Sequence, residues 1–161
     1  MKKIYLLTVL LIVSFIYQGC GNEEHSSSSS ENIDVNFTVL QSAQGGPYFS
    51  HSKIFKVIQT QSDYESELAK YSDEEAPLVD FSVYNVVLAD LGVRGTNSYF
   101  LEIPSVYEDI KGNLHVVVVS KEQKGENCTS STIVTDPYVF AKIPAGQDVY
   151  FDEKVEYYNC H

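Results

Sequence analysis

The chain has 161 residues, of which 22 are Asp or Glu and 11 are Lys or Arg, so its formal net charge at pH 7 is −11. A surface this acidic argues against binding to nucleic acid or to anionic lipid headgroups, because both require clusters of Lys and Arg. The length is sufficient for one folded domain with a single hydrophobic core.

Residues 1–19 are predicted to be a bacterial lipoprotein signal peptide. Lys2 and Lys3 precede an apolar stretch, residues 4–17, that is too short for a comfortable membrane-spanning helix. A small residue, Gly19, then stands directly before Cys20, whose thiol would carry the lipid after cleavage. An ordinary cleaved signal peptide and an uncleaved anchor are the alternatives. Lipidation places the protein in the cell envelope, in the periplasm or exposed on the outer membrane.

Residues 20–32 are predicted to be a flexible tether. They include five consecutive serines, Ser26–Ser30, and too few apolar residues to offset chain entropy by burial. Residues 33–161 then form a single β-rich domain. Two further cysteines, Cys128 and Cys160, are predicted to form a disulfide, because disulfides persist in exported proteins. The alternative is two free thiols.

The first half of the domain is predicted to contain two strands and one short helix. The alternation in residues 34–40 indicates a strand with Val35, Phe37 and Val39 directed inward, and residues 54–59 form a second strand. Ser62 and a Glu three positions later fit a capping box, which predicts a helix over residues 62–71. Its apolar stripe consists of Tyr64, Leu68 and Tyr71.

The second half is predicted to be β structure throughout. Val86–Leu91 is almost entirely apolar, which is typical of a central strand that is covered on both faces. The other predicted strands cover residues 98–106, 114–120, 133–143 (interrupted at Asp136-Pro137), 149–151 and 155–158. We therefore expect a mostly β (α+β) fold of antiparallel sheets, forming a sandwich or a partly open barrel with one helix.

Motifs of catalysis are missing from the sequence. The four histidines, His25, His51, His115 and His161, are not spaced as metal ligands, and there is no nucleophile elbow or phosphate-binding Gly-rich loop. We therefore expect a protein that is not an enzyme and that has no metal or cofactor.

The stretch "GVRGTNSYFLEI", residues 92–103, joins two predicted strands with more residues than a tight hairpin needs. It places Arg94, a cation with five hydrogen-bond donors, on an acidic domain. One hypothesis is that a displayed recognition loop is formed by Arg94, Gly95, Thr96, Asn97, Ser98 and Tyr99. The alternative is that the glycines and Thr96 only accommodate a bulge and that Tyr99 belongs to the core.

The segment "VDFSVYNVVLADLGVRGTNSYFLEIPSV", with the later "TDPYVFAKIP", resembles the C-terminal domain of PrcB-type protease-complex subunits. The matching positions are Asp80-Phe81, Gly92, Gly95, Thr96, Tyr99, Pro137-Tyr138 and Ile143-Pro144. Asn97 and Ser98 stand where that family prefers Gly-Gly. The loop and the Pro-aromatic strand are also similar in style to loops of chagasin-type cysteine-protease inhibitors.

The resemblance implies an exported, non-catalytic domain that accompanies a protease. It adds Pro137 and Tyr138 to the expected partner-binding residues. We therefore expect an accessory, assembly or inhibitor-like partner of a protease or protease complex. A different possibility is an envelope lipoprotein that binds a small ligand or glycan through exposed tyrosines.

Overall fold

The computed structural model describes residues 32–46, 52–125 and 133–159. Within these ranges the chain forms eight strands and one helix. In chain order they are β1 (Ile33–Asp34), β2 (Thr38–Ala43), β3 (Ile54–Ile58), α1 (Gln61–Leu68), β4 (Tyr84–Asp90), β5 (Tyr99–Glu108), β6 (Leu114–Gln123), β7 (Tyr138–Pro144) and β8 (Val149–Tyr158).

The strands form two four-stranded sheets, ordered β1-β5-β6-β8 and β2-β7-β4-β3. All pairings are antiparallel except that of β6 with β8, which is parallel. Apolar side chains of both sheets meet in one core, which includes Val87, Leu101, Val116 and Val139. The predicted mostly β fold with one short helix is therefore confirmed, and of the two expected architectures the sandwich is the one observed.

β4 is the central strand that the sequence predicted. Val87 and Ala89 point into the core between the sheets, whereas Val86 and Leu88 point to the opposite face of the same sheet. That second face is covered by Tyr64 and Leu68 of α1. A strand buried on both faces requires apolar residues at consecutive positions, which explains the uninterrupted run.

The N-cap of the helix lies two residues earlier than the capping-box pattern predicted. Thr60, with an extended backbone (φ −138°, ψ 152°), is the N-cap, and its Oγ1 accepts a hydrogen bond of 3.1 Å from the Asp63 backbone N–H. Assigning the cap to Ser62 was therefore wrong. The helix ends at Leu68, so Tyr71 lies beyond it, yet the Tyr71 ring still packs against Tyr138 and Phe140.

The first predicted strand is divided in two. Residues 35–37 separate β1, which pairs with β5, from β2, which pairs with β7 in the other sheet. Val35 and Phe37 pack against the core as predicted. Val39 lies opposite Ala141 on the core-facing side, but on this edge strand its side chain is 46 % exposed, and Leu40 packs against the cluster on the other face of the sheet. The pairing of β2 with β7 then shifts register, and a bulge between Val39 and Gln41 places Gln41 opposite Phe140.

The last two predicted strands are one continuous strand, β8. It pairs with β6 without a register shift, from Leu114 opposite Val149 to Gln123 opposite Tyr158. The predicted interruption at Asp136-Pro137 is confirmed, since β7 begins at Tyr138 and Thr135 makes only an isolated bridge.

Candidate partner-binding surface

The loop between β4 and β5, residues 91–98, leaves β4 through a turn that requires glycine. Gly92 has a φ of 71°, a backbone conformation that side-chain-bearing residues rarely adopt. Its N–H donates a hydrogen bond of 2.6 Å to Oδ1 of Asp90, and the Tyr71 hydroxyl donates one of 2.6 Å to Oδ2 of the same carboxylate. A buried acidic side chain thus fixes the start of the loop.

Arg94 anchors the loop. Its backbone forms a two-bond bridge with Thr135, with N···O distances of 2.7 Å and 3.0 Å. Nη2 donates a hydrogen bond of 2.8 Å to the carbonyl of Leu91, and the guanidinium lies 5.3 Å from the centre of the Tyr99 ring. Nε is buried and has no hydrogen-bond partner among the described residues. Arg94 is half-buried, and so it holds the loop against the domain as well as lining its surface.

The remaining loop residues divide into anchored and exposed positions. Oγ1 of Thr135 donates a hydrogen bond of 2.8 Å to the carbonyl of Thr96. Ser98 is buried, and its carbonyl accepts a hydrogen bond of 3.1 Å from Gln123 N–H. Gly95 and Asn97 are exposed, and a Cβ atom added at Gly95 would meet nothing within 4 Å. The part of the loop that a partner could reach is therefore its tip.

Pro137 and Tyr138 lie inside the protein. The Tyr138 side chain is 2 % exposed, and its ring packs 4.8 Å from Tyr71 and 5.8 Å from Phe140, measured between ring centres. A ring in this position has no surface left for a partner, and the prediction that Tyr138 makes partner contacts does not fit its burial. Pro137 accepts a hydrogen bond from Leu91 N–H, which ties β7 to the loop.

A groove opens beside the loop, between the edges of the two sheets. It has a volume of about 260 Å³ and is lined by Lys53, Leu91, Arg94, Tyr99, Ser120, Glu122, Glu153 and Val155. Two of its acidic side chains already have partners, because Lys53 Nζ lies 2.6 Å from Oε1 of Glu153 and the Tyr99 hydroxyl donates a 3.0 Å hydrogen bond to Glu122. That hydrogen bond, with partial burial, raises the pKa of Tyr99. Tyr99 therefore stays a neutral hydroxyl donor at physiological pH.

β8 continues this surface with half-exposed apolar side chains. Val155 is 50 % exposed, and Tyr157, two residues farther along the same face of the strand, is 59 % exposed. Tyr150, also 50 % exposed, points to the opposite face of β8. Lys124 Nζ lies 4.6 Å from the centre of the Tyr157 ring. Aromatic side chains at such positions are common contact residues of protein interfaces.

A cross-strand ring stack, which was not predicted from the sequence, lies on the outer face of the same sheet. The His115 ring lies 4.8 Å from the Tyr107 ring and 5.4 Å from the Tyr150 ring, with both pairs stacked. Asp152 binds this stack from the side, accepting from the Tyr107 hydroxyl at 2.6 Å and contacting Nδ1 of His115 at 3.0 Å. The stack forms because three strands place these residues in register.

Several predicted sites fall outside the described residues. Cys20, Cys128 and Cys160, and also His25, His51 and His161, are among them. Within the described ranges no group of three His, Cys, Asp or Glu side chains is arranged to hold a metal ion. No helix of the described part is long and apolar enough to cross a membrane.

Comparison with protein-family models, with curated proteins and with solved structures gives no match for this chain.

Proposed function

We propose that the protein is a lipid-anchored protein-interaction domain of the cell envelope, acting as an accessory, assembly or inhibitor-like partner of a protease. The observation that carries this proposal is the continuity of one surface. Arg94 and Tyr99 of the loop, and Val155 of β8, line the same groove. The exposed loop tip, the groove and the half-exposed side chains of Val155 and Tyr157 thus form a single candidate surface, which we call the loop–β8 surface.

The character of this surface favours a protein partner over a small ligand. Small-molecule sites are mostly enclosed and apolar with a few converging polar groups. This groove is open and lined mainly by polar and charged side chains, and a larger cleft of about 370 Å³ at Val35–Thr38, Tyr84, Lys142 and Pro144 is likewise open to solvent. A shallow groove beside exposed tyrosines suits a partner that covers it with a larger area of its own surface.

The choice of a protease as the partner rests on the resemblance to PrcB-type subunits. Asp80 and Phe81, which carry part of that resemblance, have structural roles. Asp80 Oδ1 accepts a hydrogen bond of 3.0 Å from Ser82 N–H, and Phe81 packs against the core beneath α1. Near the loop tip, Gly95 and Thr96 match the pattern of that family, whereas Asn97 departs from it. Specificity for a protease would therefore come from the loop rather than from the Asp-Phe pair.

The proposal includes lipidation at Cys20 and a disulfide between Cys128 and Cys160. The parallel pairing of β6 with β8 supports the disulfide, because it ends with Gln123 opposite Tyr158 and Lys124 N–H donates to the Tyr158 carbonyl at 3.0 Å. The two chain segments that lead to the cysteines thus leave the sheet side by side. A fatty-acid analogue that labels the wild-type protein and leaves Cys20→Ser unlabelled would support lipidation.

Replacement of Gly95 by Gln tests the proposed function. Because no atom lies within 4 Å of the added Cβ and Gly95 does not have a positive φ, the fold should accommodate the side chain. The Gln side chain would project from the loop tip and obstruct a partner. We expect capture of a protease or protease complex from native membranes to fall at least tenfold, with an unchanged melting temperature.

The matched control is Ser62→Gln, which adds a similar side chain to the exposed surface of α1. Capture by the control should equal that of the wild type. Undiminished capture by a stably folded Gly95→Gln variant would rule out the loop as a partner site. Captured proteins that never include a protease would contradict the protease assignment.

A further inference from the structure

β8 lies at the outer edge of its sheet and is paired on one side only. Its ten residues bond to β6, and among the described residues no strand or loop bonds to its other side. Alternate N–H and C=O groups of an edge strand point away from the sheet and can pair with another extended chain. β8 therefore offers a ready position for one more strand.

The other edges carry features that discourage such pairing. β1 has only two residues, β3 has five with the exposed Lys56 at its centre, and β2 has a bulge between Val39 and Gln41. Short edge strands, lysines and bulges are the usual means by which sheets avoid adding strands. β8 is ten residues long, has no proline and keeps its register throughout. It is the edge best suited to accept a further strand within the described structure.

The charges of β8 select what can pair with it. The strand contains three acidic residues, Asp152, Glu153 and Glu156, and a single basic one, Lys154. A second copy of β8 placed alongside would bring six carboxylates and only two ammonium groups together, and like charges on neighbouring strands are destabilising. A segment that carries Lys or Arg would instead meet opposite charge. Over a longer range, the net charge of −11 likewise repels a second copy of the chain and attracts a basic segment.

The exposed rings add a second selective feature. On the outer face of the sheet the ring stack runs from Tyr107 through His115 to Tyr150, which is half-exposed on the edge strand. An added strand would lie next to Tyr150, and its apolar or cationic side chains could pack on that ring. The opposite face of β8 offers Val155, which lines the groove, and the exposed ring of Tyr157.

From these observations we propose that β8 binds an extended, basic segment of the partner protein as a fifth strand of the β1-β5-β6-β8 sheet. Backbone hydrogen bonds along β8 provide affinity, Asp152 and Glu156 select basic side chains on the outer face, and Val155 and Tyr157 select apolar side chains on the groove face. This proposal deepens the proposed function and rests on it, because it assigns to β8 the chemistry by which the loop–β8 surface recognises its partner.

The test uses a fluorescent ten-residue peptide in which Lys alternates with Val and Thr, titrated into the full-length protein in detergent. We expect saturable binding that weakens at least tenfold when Lys is replaced by Glu. Two N-methylated peptides give the sharpest comparison, one methylated at odd and one at even positions. Only the peptide whose methylated amides would face β8 should lose binding, because an added strand donates hydrogen bonds to β8 from the backbone N–H groups of alternate residues. Equal binding of both methylated peptides would overturn the proposal.

Variants of the protein locate the peptide. Glu156→Lys should weaken binding of the Lys peptide at least fivefold, whereas Glu75→Lys, which makes the same charge change in an exposed loop, should have a smaller effect. Equal effects of the two variants would show attraction by net charge alone and would overturn the proposal. A concentration-dependent dimer that competes with the peptide would assign the edge to a second copy. Binding that appears only after residues 20–32 are deleted would assign it to the tether.

The two proposals fail in different ways. If the peptide does not bind but Gly95→Gln still abolishes capture from membranes, the partner-binding function stands and the added strand is wrong. If the peptide binds by the N-methyl criterion and Gly95→Gln captures normally, β8 accepts a basic strand but the loop has no part in recognition.

Discussion

β4 and β8 are both long strands of the same sandwich, and they differ in what fixes them. β4 is bonded on both sides, to β3 and β7, and six of its seven residues are buried. β8 is bonded on one side, and none of its ten residues is fully buried. Hydrophobic burial is enough to fix the position of β4 in the fold. β8 is held instead by its pairing with one neighbouring strand and by contacts of its partly exposed side chains. A strand held in this way can keep surface available for a partner.

The largest expected effect concerns how the end of β8 is held. If Cys128 and Cys160 are bonded, the disulfide closes a loop of about 32 residues, and its loss through Cys160→Ser should lower the free energy of unfolding by roughly 3–4 kcal/mol. Urea unfolding of the two proteins measures the difference. Reduction of the wild type should reproduce the loss and should leave the variant unchanged. Labelling of both thiols in the native wild-type protein would contradict the bond.

The same substitution in the two strands compares them directly. Val87 of β4 is fully buried, and Val87→Ala removes two methyl groups and leaves a cavity, which should cost about 2–3 kcal/mol. Val155 of β8 is 50 % exposed, and Val155→Ala should change stability by only about 0.5 kcal/mol. Chemical denaturation of both variants tests this. Equal losses would mean that β8 is as deeply packed as β4.

The sequence predicted the fold where burial alone determines structure. The apolar run of β4 and the stripe of Tyr64 and Leu68 were correctly assigned to the interior. These residues are recognisable because they belong to apolar clusters. The periodicity of apolar residues in the sequence therefore indicates such buried positions even when the order of the strands is unknown.

Features that depend on the partner strand could not be predicted. The parallel pairing of β8 with β6 joins segments more than thirty residues apart, and the His115 stack exists only in that register. The bulge between Val39 and Gln41 has no signature in the sequence of β2 alone. The choice of Thr60 over Ser62 as the helix cap depends on the extended backbone at Thr60, which follows from the exit of β3.

The candidate site was predicted in part. The loop at residues 94–99 lies at the surface beside exposed aromatic side chains. The guanidinium of Arg94, however, is partly buried by its contacts with Leu91 and Tyr99. Tyr138 was included because of the family resemblance, and only the tertiary structure shows it packed against Tyr71. β8, which has the longest unpaired edge among the described strands, appeared in the sequence as two short strands at the end of a domain.

Amide hydrogen exchange measured by NMR on the native full-length protein, without a partner, tests most directly the claim that β8 has an open edge. Every amide of β4 between Val86 and Ala89 should exchange only through global unfolding. Alternate amides of β8 should exchange much faster, while those bonded to β6 remain protected. Uniform protection along β8, equal to that of β4, would show that another segment already occupies the edge and would contradict the account.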